Sequence, residues 1–157
     1  SEMCIRDREN IMEEEEKRRI FHEMMQKCFM KCDRFMIEKW KTTEKTISPV
    51  IEDEVRQNAY HNFYDKVSKA KIASRPTIQK WFGIHGQSMP KREQIIHLAF
   101  VCQLSVDETR EYFMYAISEH DFQVNDYHEM IALYGLENHM TYEQYEEMVA
   151  YFEQYSD

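Results

Sequence analysis

The side chains best suited to bind another molecule are the lysines and arginines between Tyr64 and Arg92. These 29 residues carry a net charge of +6, whereas residues 1–63 sum to −2 and residues 93–157 to −13. The seven basic residues are Lys66, Lys69, Lys71, Arg75, Lys80, Lys91 and Arg92. A cationic segment within an anionic chain is typical of a surface that binds phosphate groups.

The centre of this basic segment predicts a short helix. It reads Ser74-Arg75-Pro76-Thr77-Ile78-Gln79-Lys80-Trp81, and Gly83 follows. Serine is a favoured N-cap, proline fits the first turn, and glycine commonly follows the last helical residue. Ile78 and Trp81 are three residues apart, so we expect them to form the inner face of the helix, with Phe82 beside them.

The residues on the other side of this helix are of the types that read DNA. A helix that enters the major groove anchors its apolar face and turns basic or amide side chains towards the base edges. The candidate base-reading residues are Arg75, Gln79 and Lys80. The candidate phosphate contacts, which would set the register of the protein on the duplex, are Lys69, Lys71, Lys91 and Arg92. The basic segment thus predicts double-stranded DNA as a partner.

The rest of the chain predicts an all-α protein. Three glycines and three prolines are few for 157 residues, which disfavours β-rich folds with many turns. Capping residues that mark helix starts recur along the sequence, and no stretch alternates apolar and polar residues as a strand would. We expect seven helices, over residues 9–46, 48–71, 74–83, 88–103, 105–116, 125–136 and 141–155.

The first expected helix is long, and two uses of it are open. Its apolar residues between Phe21 and Trp40 form two adjacent stripes, which make a face wider than a coiled-coil seam. This width favours packing of residues 9–46 on the rest of the domain. The alternative is a homodimer formed through the same residues.

The chain divides into four parts. Residues 1–8 resemble the translation of a sequencing adaptor, so we expect them to be foreign to the natural protein, and Cys4 to carry no chemistry. We also expect the natural chain to begin upstream of residue 9. Residues 9–47 form the long amphipathic helix, residues 48–117 the domain around the basic segment, and residues 118–157 a helical extension that packs on this domain.

Catalytic, metal and membrane sites are not expected. The sequence holds no nucleophile elbow, P-loop or HExxH motif. Cys28 and Cys32 lie one helical turn apart, but no second pair at a standard spacing completes a zinc site. No apolar run reaches the roughly 18 residues of a membrane span, and the few cysteines form no disulfide framework, which favours a reducing cytoplasm. We therefore predict a cytoplasmic protein that is not an enzyme and needs no cofactor.

The middle and the end of the chain resemble a family of DNA-binding proteins. The segments T-I-Q-K-W at 77–81, P-K-R-E at 90–93 and L-S-V-D-E at 104–108 follow the order found in phage-repressor-like helix-turn-helix domains. More closely, the chain resembles uncharacterised helix-turn-helix proteins of anaerobic Gram-positive bacteria, through motifs at Arg75–Gly83, Pro90–Glu93, Phe122–Ile131 and Tyr134–His139. The resemblance covers about residues 60–155. It implies that residues 48–117 form a helix-turn-helix-like domain whose recognition helix is Ser74–Gly83.

Two functions follow as hypotheses. The first is a DNA-binding module, a transcriptional regulator in which the Ser74–Gly83 helix enters the major groove. The second is a helical interaction or sensor module with a vestigial helix-turn-helix, forming the N-terminal part of a larger signalling protein. Under the second hypothesis, the acidic helices of residues 118–157 are the expected site of a protein partner.

Overall fold

A computed structural model describes residues 13–25, 65–83 and 86–155. These ranges contain helices and turns and no β-strand, so the prediction of an all-α fold is confirmed. Within the same ranges, no helix combines the length and the apolar character that crossing a bilayer requires. Several sequence predictions lie outside the described residues: the adaptor-like residues 1–8, Cys28 and Cys32, the remainder of the range 9–46 expected to be helical, and the expected helix start at residue 48.

Helix α4 lies at the centre of the described helices. It packs against α5, α6 and α7, while α6 also packs against both α5 and α7. The helical segments are residues 13–25 (α1) and 65–69 (α2), followed by Arg75–Trp81 (α3), Arg92–Cys102 (α4), Val106–Ile117 (α5), Tyr127–Glu137 (α6) and Tyr142–Glu153 (α7). The bounds of α3, α5, α6 and α7 follow the predicted ones to within two residues.

Reciprocal capping fixes where α5 and α7 begin, as the sequence predicts. The Ser105 hydroxyl accepts the Glu108 backbone N–H at 3.1 Å, and the Glu108 carboxylate accepts the Ser105 N–H at 3.3 Å. Thr141 and Gln144 make the equivalent pair of bonds at 3.1 and 2.9 Å. Each pair satisfies two backbone donors that have no partner inside the helix.

The start of α4 differs from the expected start at Ser88. The Ser88 backbone N–H donates to the carbonyl of Lys80 at 3.3 Å, so this residue is used to close the loop after α3. Pro90 is buried, and Lys91 is the N-cap residue. The Lys91 N–H donates to the Gln94 side-chain oxygen at 2.8 Å. The sequence pattern thus predicted the N-cap of α4 three residues too early. Ser88 instead forms a backbone hydrogen bond with Lys80, in the loop that precedes the helix.

The N-terminal segment α1 is part of the core. Phe21 and Met25 are fully buried, and the Phe21 ring lies 6.0 Å from the Tyr112 ring in an edge-to-face contact. The Tyr112 hydroxyl donates to the Met24 carbonyl at 3.5 Å. Residues 13–25 therefore pack on the rest of the described fold. The homodimer stays a prediction for the residues up to 46, which lie outside the described ranges.

Helices α6 and α7 reach α4 through a glycine and a set of stacked rings. A Cβ atom at Gly135 would lie 3.0 Å from Phe100 Cζ, so only glycine allows this approach without a shift of the phenyl ring. On α7, Tyr142 stacks on His97 with ring centroids 3.6 Å apart, and Tyr145 stacks on Phe100 at 4.9 Å. The first half of α7 is thereby attached to α4.

Acidification is expected to weaken this attachment through His97. Burial lowers the pKa of the imidazole from its ordinary value of 6.5, although Glu146 opposes the shift. The unfolded chain then binds the proton more readily, so this contribution to stability is complete above pH 6.5 and is lost as the pH falls through the lowered pKa. Thermal unfolding at about pH 7 and pH 5.5 should show a smaller loss of Tm for His97→Phe, which keeps a ring against Tyr142. An equal loss in the variant would contradict the assignment.

Candidate nucleic-acid interface

Helix α3 is anchored by its inner face, as the sequence predicts. Ile78 and Trp81 are fully buried, and Phe82 is buried beside them. At the other end of the helix, the Ser74 hydroxyl accepts the Thr77 backbone N–H at 3.4 Å and lies 2.8 Å from the Thr77 hydroxyl. A helix of seven residues is too short to be stable alone, so these contacts hold it in place.

The end of α3 is also fixed by α1. His22 Nδ1 lies 2.8 Å from the carbonyl oxygen of Trp81, so Nδ1 carries the proton and donates to it. Gly83 follows with φ of +80°, a left-handed conformation that glycine adopts without strain. A Cβ atom at Gly83 would lie 3.7 Å from the His22 ring. The N-terminal segment α1 therefore contacts the end of α3, the candidate recognition helix, and helps to fix its position.

The turn between α2 and α3 places a lysine in a conformation that favours glycine. Lys71 has φ of +56°, and its N–H donates to the Ser68 carbonyl at 3.1 Å. The next residue, Ile72, is buried and ties the turn to the core. A left-handed backbone costs a residue with a Cβ atom about 1–2 kcal/mol. Local stability alone would favour glycine here, so the lysine side chain is retained at an energetic cost.

The basic side chains around α3 are presented to solvent. Arg75 and Lys80 are exposed and Gln79 is half-buried. The lysines that flank the helix and are also exposed are Lys69, Lys71 and Lys91. In the part of the chain that the structure describes, none of the four lysines forms an ion pair with a carboxylate. These ammonium groups are available to bind phosphate.

Arg92 has a different role from the predicted phosphate contact. Its Nε donates to Glu129 Oε2 at 2.6 Å and its Nη2 to Glu129 Oε1 at 2.8 Å, a bidentate pair. Nη2 also donates to the Asp121 carbonyl, and Cζ lies 4.4 Å above the Phe113 ring centroid. The two side chains are only 13% and 6% exposed. The guanidinium is held inside the fold, so Arg92 is removed from the phosphate-contact candidates.

This pair holds the loop before α6 against α4. Hydrogen bonding to Glu129 raises the pKa of Arg92, so its guanidinium stays charged. Glu129 Oε1 also accepts the Gln123 backbone N–H at 2.8 Å. The carboxylate therefore links α4, the loop and α6. It joins the segment Pro90–Glu93 to the segment Phe122–Ile131.

Sequence reasoning missed Glu129, although a signal was present. Glu129 precedes Ala132 by three residues and Leu136 by seven, which places it on the buried face of α6. A carboxylate on such a face requires a cationic partner. The sequence could therefore have predicted a buried pair, although not which of the basic residues completes it.

Comparisons of the chain with protein-family models, with curated proteins and with solved structures give no match.

Proposed function

We propose that the protein is a DNA-binding module that approaches duplex DNA with α3 and acts in transcriptional regulation. The observation that carries the proposal is the set of exposed basic side chains around a short helix that is firmly anchored by Ile78 and Trp81. A rigid helix with basic and amide side chains turned to solvent is the arrangement that major-groove recognition requires.

Each group in this arrangement has a distinct task. The Gln79 amide can pair in a bidentate way with adenine, and the guanidinium of Arg75 with guanine. Lys80, one residue further along α3, extends the base-reading set. Lys69, Lys71 and Lys91 neutralise phosphates on either side and set the register of the protein on the duplex.

The acidic C-terminal part limits both the orientation and the affinity of binding. The net charge of residues 93–157 is −13, so this part of the chain repels phosphates while the basic segment attracts them. The protein as a whole carries −9. We therefore expect non-specific binding at physiological salt in the micromolar range or weaker.

A salt titration tests the phosphate contacts. Each neutralised phosphate releases counterions, so the logarithm of the binding constant for a labelled duplex should fall linearly with the logarithm of the salt concentration. Fluorescence anisotropy of wild type should give this decline, and Lys91→Ala should lower the slope by about one unit. Lys17→Gln removes a charge from α1, where Lys17 pairs with Glu13, and should leave the slope unchanged. A flat response of the wild type would exclude the proposal.

Lys71 offers a second arm of the same experiment, because stability and binding should change in opposite directions. Lys71→Gly relieves the left-handed backbone strain, and we expect it to raise the free energy of unfolding by about 0.5–1 kcal/mol. It also removes an ammonium group, so DNA binding should weaken and the salt slope should fall. A variant that is more stable and binds DNA as the wild type does would show that Lys71 contacts no phosphate.

A second function, the interaction module, is favoured by a separate observation. The last turns of α7 expose Tyr151 and Phe152, and Tyr155 follows them. Large apolar side chains grouped on a surface are typical of sites that bind other proteins. The two functions use different faces, and the tests of the DNA-binding face do not involve α7.

A further inference from the structure

The second half of α7 presents a face that no described helix covers. Tyr151, Phe152 and Tyr155 are 56%, 48% and 72% exposed. Their rings contact one another, with centroids 5.7 Å apart for Tyr151 and Phe152 and 5.3 Å apart for Tyr151 and Tyr155. By contrast, the first half of the helix packs on α4 through Tyr142 and Tyr145. The aromatic cluster is therefore an exposed surface at the end of a helix whose first half is attached to α4.

The cluster lies at the end of a stripe whose other end is acidic. Residues four apart on a helix lie on one face, and the stripe consists of Glu143, Glu147 and Tyr151. Both glutamates are exposed, and Tyr155 follows in the turn after the helix, with its ring against that of Tyr151. One face of α7 thus changes from carboxylates to aromatic rings towards its end. A partner that fits it has cationic side chains at one end and apolar side chains at the other.

The part of the sequence that carries this stripe has charges of one sign. Residues 111–157 contain eleven acids and no lysine or arginine. At the end of α7, Glu153 Oε1 lies 3.6 Å from His128 Nε2, and the His128 ring contacts Tyr127, which is also exposed. The electrostatic field of these carboxylates therefore attracts a basic molecule. It repels DNA, anionic membranes and a second copy of the same face.

We infer that this face of α7 binds a cationic amphipathic helix of a partner protein. The apolar side chains of the partner pack on Tyr151, Phe152 and Tyr155, and its lysines or arginines reach Glu143 and Glu147. Tyrosine rings also accept a cation over their faces. An amphipathic helix laid on an apolar surface is a common mode of peptide recognition. The inference is independent of the DNA-binding proposal.

The probe is a fluorescein-labelled synthetic helix of about 18 residues, or five turns. One face carries two leucines followed by two lysines at four-residue spacing, and alanine and glutamine occupy the other positions. The control peptide has glutamate in place of both lysines. Anisotropy should show saturable binding of the lysine peptide to the full chain in the micromolar range. The glutamate peptide should bind at least about tenfold more weakly, because its carboxylates are repelled by Glu143 and Glu147.

Variants of the full chain locate the site. Tyr151→Ser combined with Phe152→Ser should weaken binding of the lysine peptide at least about tenfold. Glu147→Gln should weaken it less and make it less sensitive to salt. The matched control is Tyr134→Ser, which removes an exposed tyrosine of α6 outside the aromatic cluster and should leave binding unchanged. All four positions are exposed, so circular dichroism should report an unchanged fold for each variant.

Several results would overturn the inference. These are no saturable binding by the wild type, equal binding of the glutamate peptide, and unchanged binding by the double variant. A wild-type dimer in sedimentation equilibrium that the double variant abolishes would assign the face to a second copy. Binding of the protein to vesicles of neutral phosphatidylcholine, lost in the double variant, would assign it to a lipid surface.

Discussion

Replacement of Trp81 by alanine is expected to unfold or loosen the region from Ser74 to Ala116. The indole is fully buried and belongs to the same apolar core as Phe21, Ile95 and Phe113. Truncation of a buried tryptophan costs about 3–5 kcal/mol, a large part of the roughly 5–15 kcal/mol by which a domain is stable. Chemical denaturation followed by circular dichroism should show a large decrease in the midpoint.

Two control variants separate packing from other effects. The Trp81 indole N–H is buried without a hydrogen-bond partner among the described residues, so Trp81→Phe loses volume but no hydrogen bond and should cost clearly less than Trp81→Ala. Lys80→Ala changes the neighbouring exposed position and should leave the midpoint nearly unchanged. An unchanged midpoint for Trp81→Ala would show that the inner face of α3 is assigned to the wrong residues.

Loss of either partner of the Arg92–Glu129 pair is expected to be equally damaging. Glu129→Leu leaves the guanidinium buried without its carboxylate, and Arg92→Met leaves the carboxylate buried without its cation. Breaking a buried pair on one side costs about 3–5 kcal/mol, because an uncompensated charge remains inside the protein. Thermal or chemical unfolding of the two single variants should show this loss.

The double variant Arg92→Met with Glu129→Leu is the matched test. It removes both charges, so its stability should exceed that of either single variant, and the double-mutant cycle should give a large coupling energy. The Gln123 N–H and the Asp121 carbonyl lose a partner in the double variant, so full recovery is not expected. If Arg92→Met were as stable as the wild type but bound DNA more weakly, Arg92 would contact phosphate after all.

Local signals in the sequence were enough to predict most helix bounds and the inner face of α3. Ser105 with Glu108 and Thr141 with Gln144 cap their helices through residues three apart, so a short stretch of sequence contains the whole interaction. The spacing of Ile78 and Trp81 likewise determines which side of α3 is buried. Such predictions succeed because both partners lie within one helical turn.

The candidate site was predicted less completely, because parts of it depend on distant residues. A count of charges along the chain cannot distinguish Lys91, which is exposed, from Arg92, whose partner Glu129 is 37 residues away. Similarly, Ser88 is a residue type that favours an N-cap position. In the structure its backbone N–H donates to the carbonyl of Lys80, which lies near the end of α3. These outcomes follow from tertiary packing, which a local pattern does not encode.

The most direct test of the DNA-binding proposal is the selection of binding sites from a random duplex library. The wild type is predicted to enrich one sequence. Gln79→Ala should change the preferred base at the position it contacts, at about 1–3 kcal/mol for a bidentate pair. Lys91→Ala should enrich the same sequence as the wild type with lower affinity, because a phosphate contact carries no sequence information. Folded wild-type protein that enriches no sequence, or a Gln79→Ala variant with unchanged preference, would contradict the assignment of α3 as the helix that reads DNA.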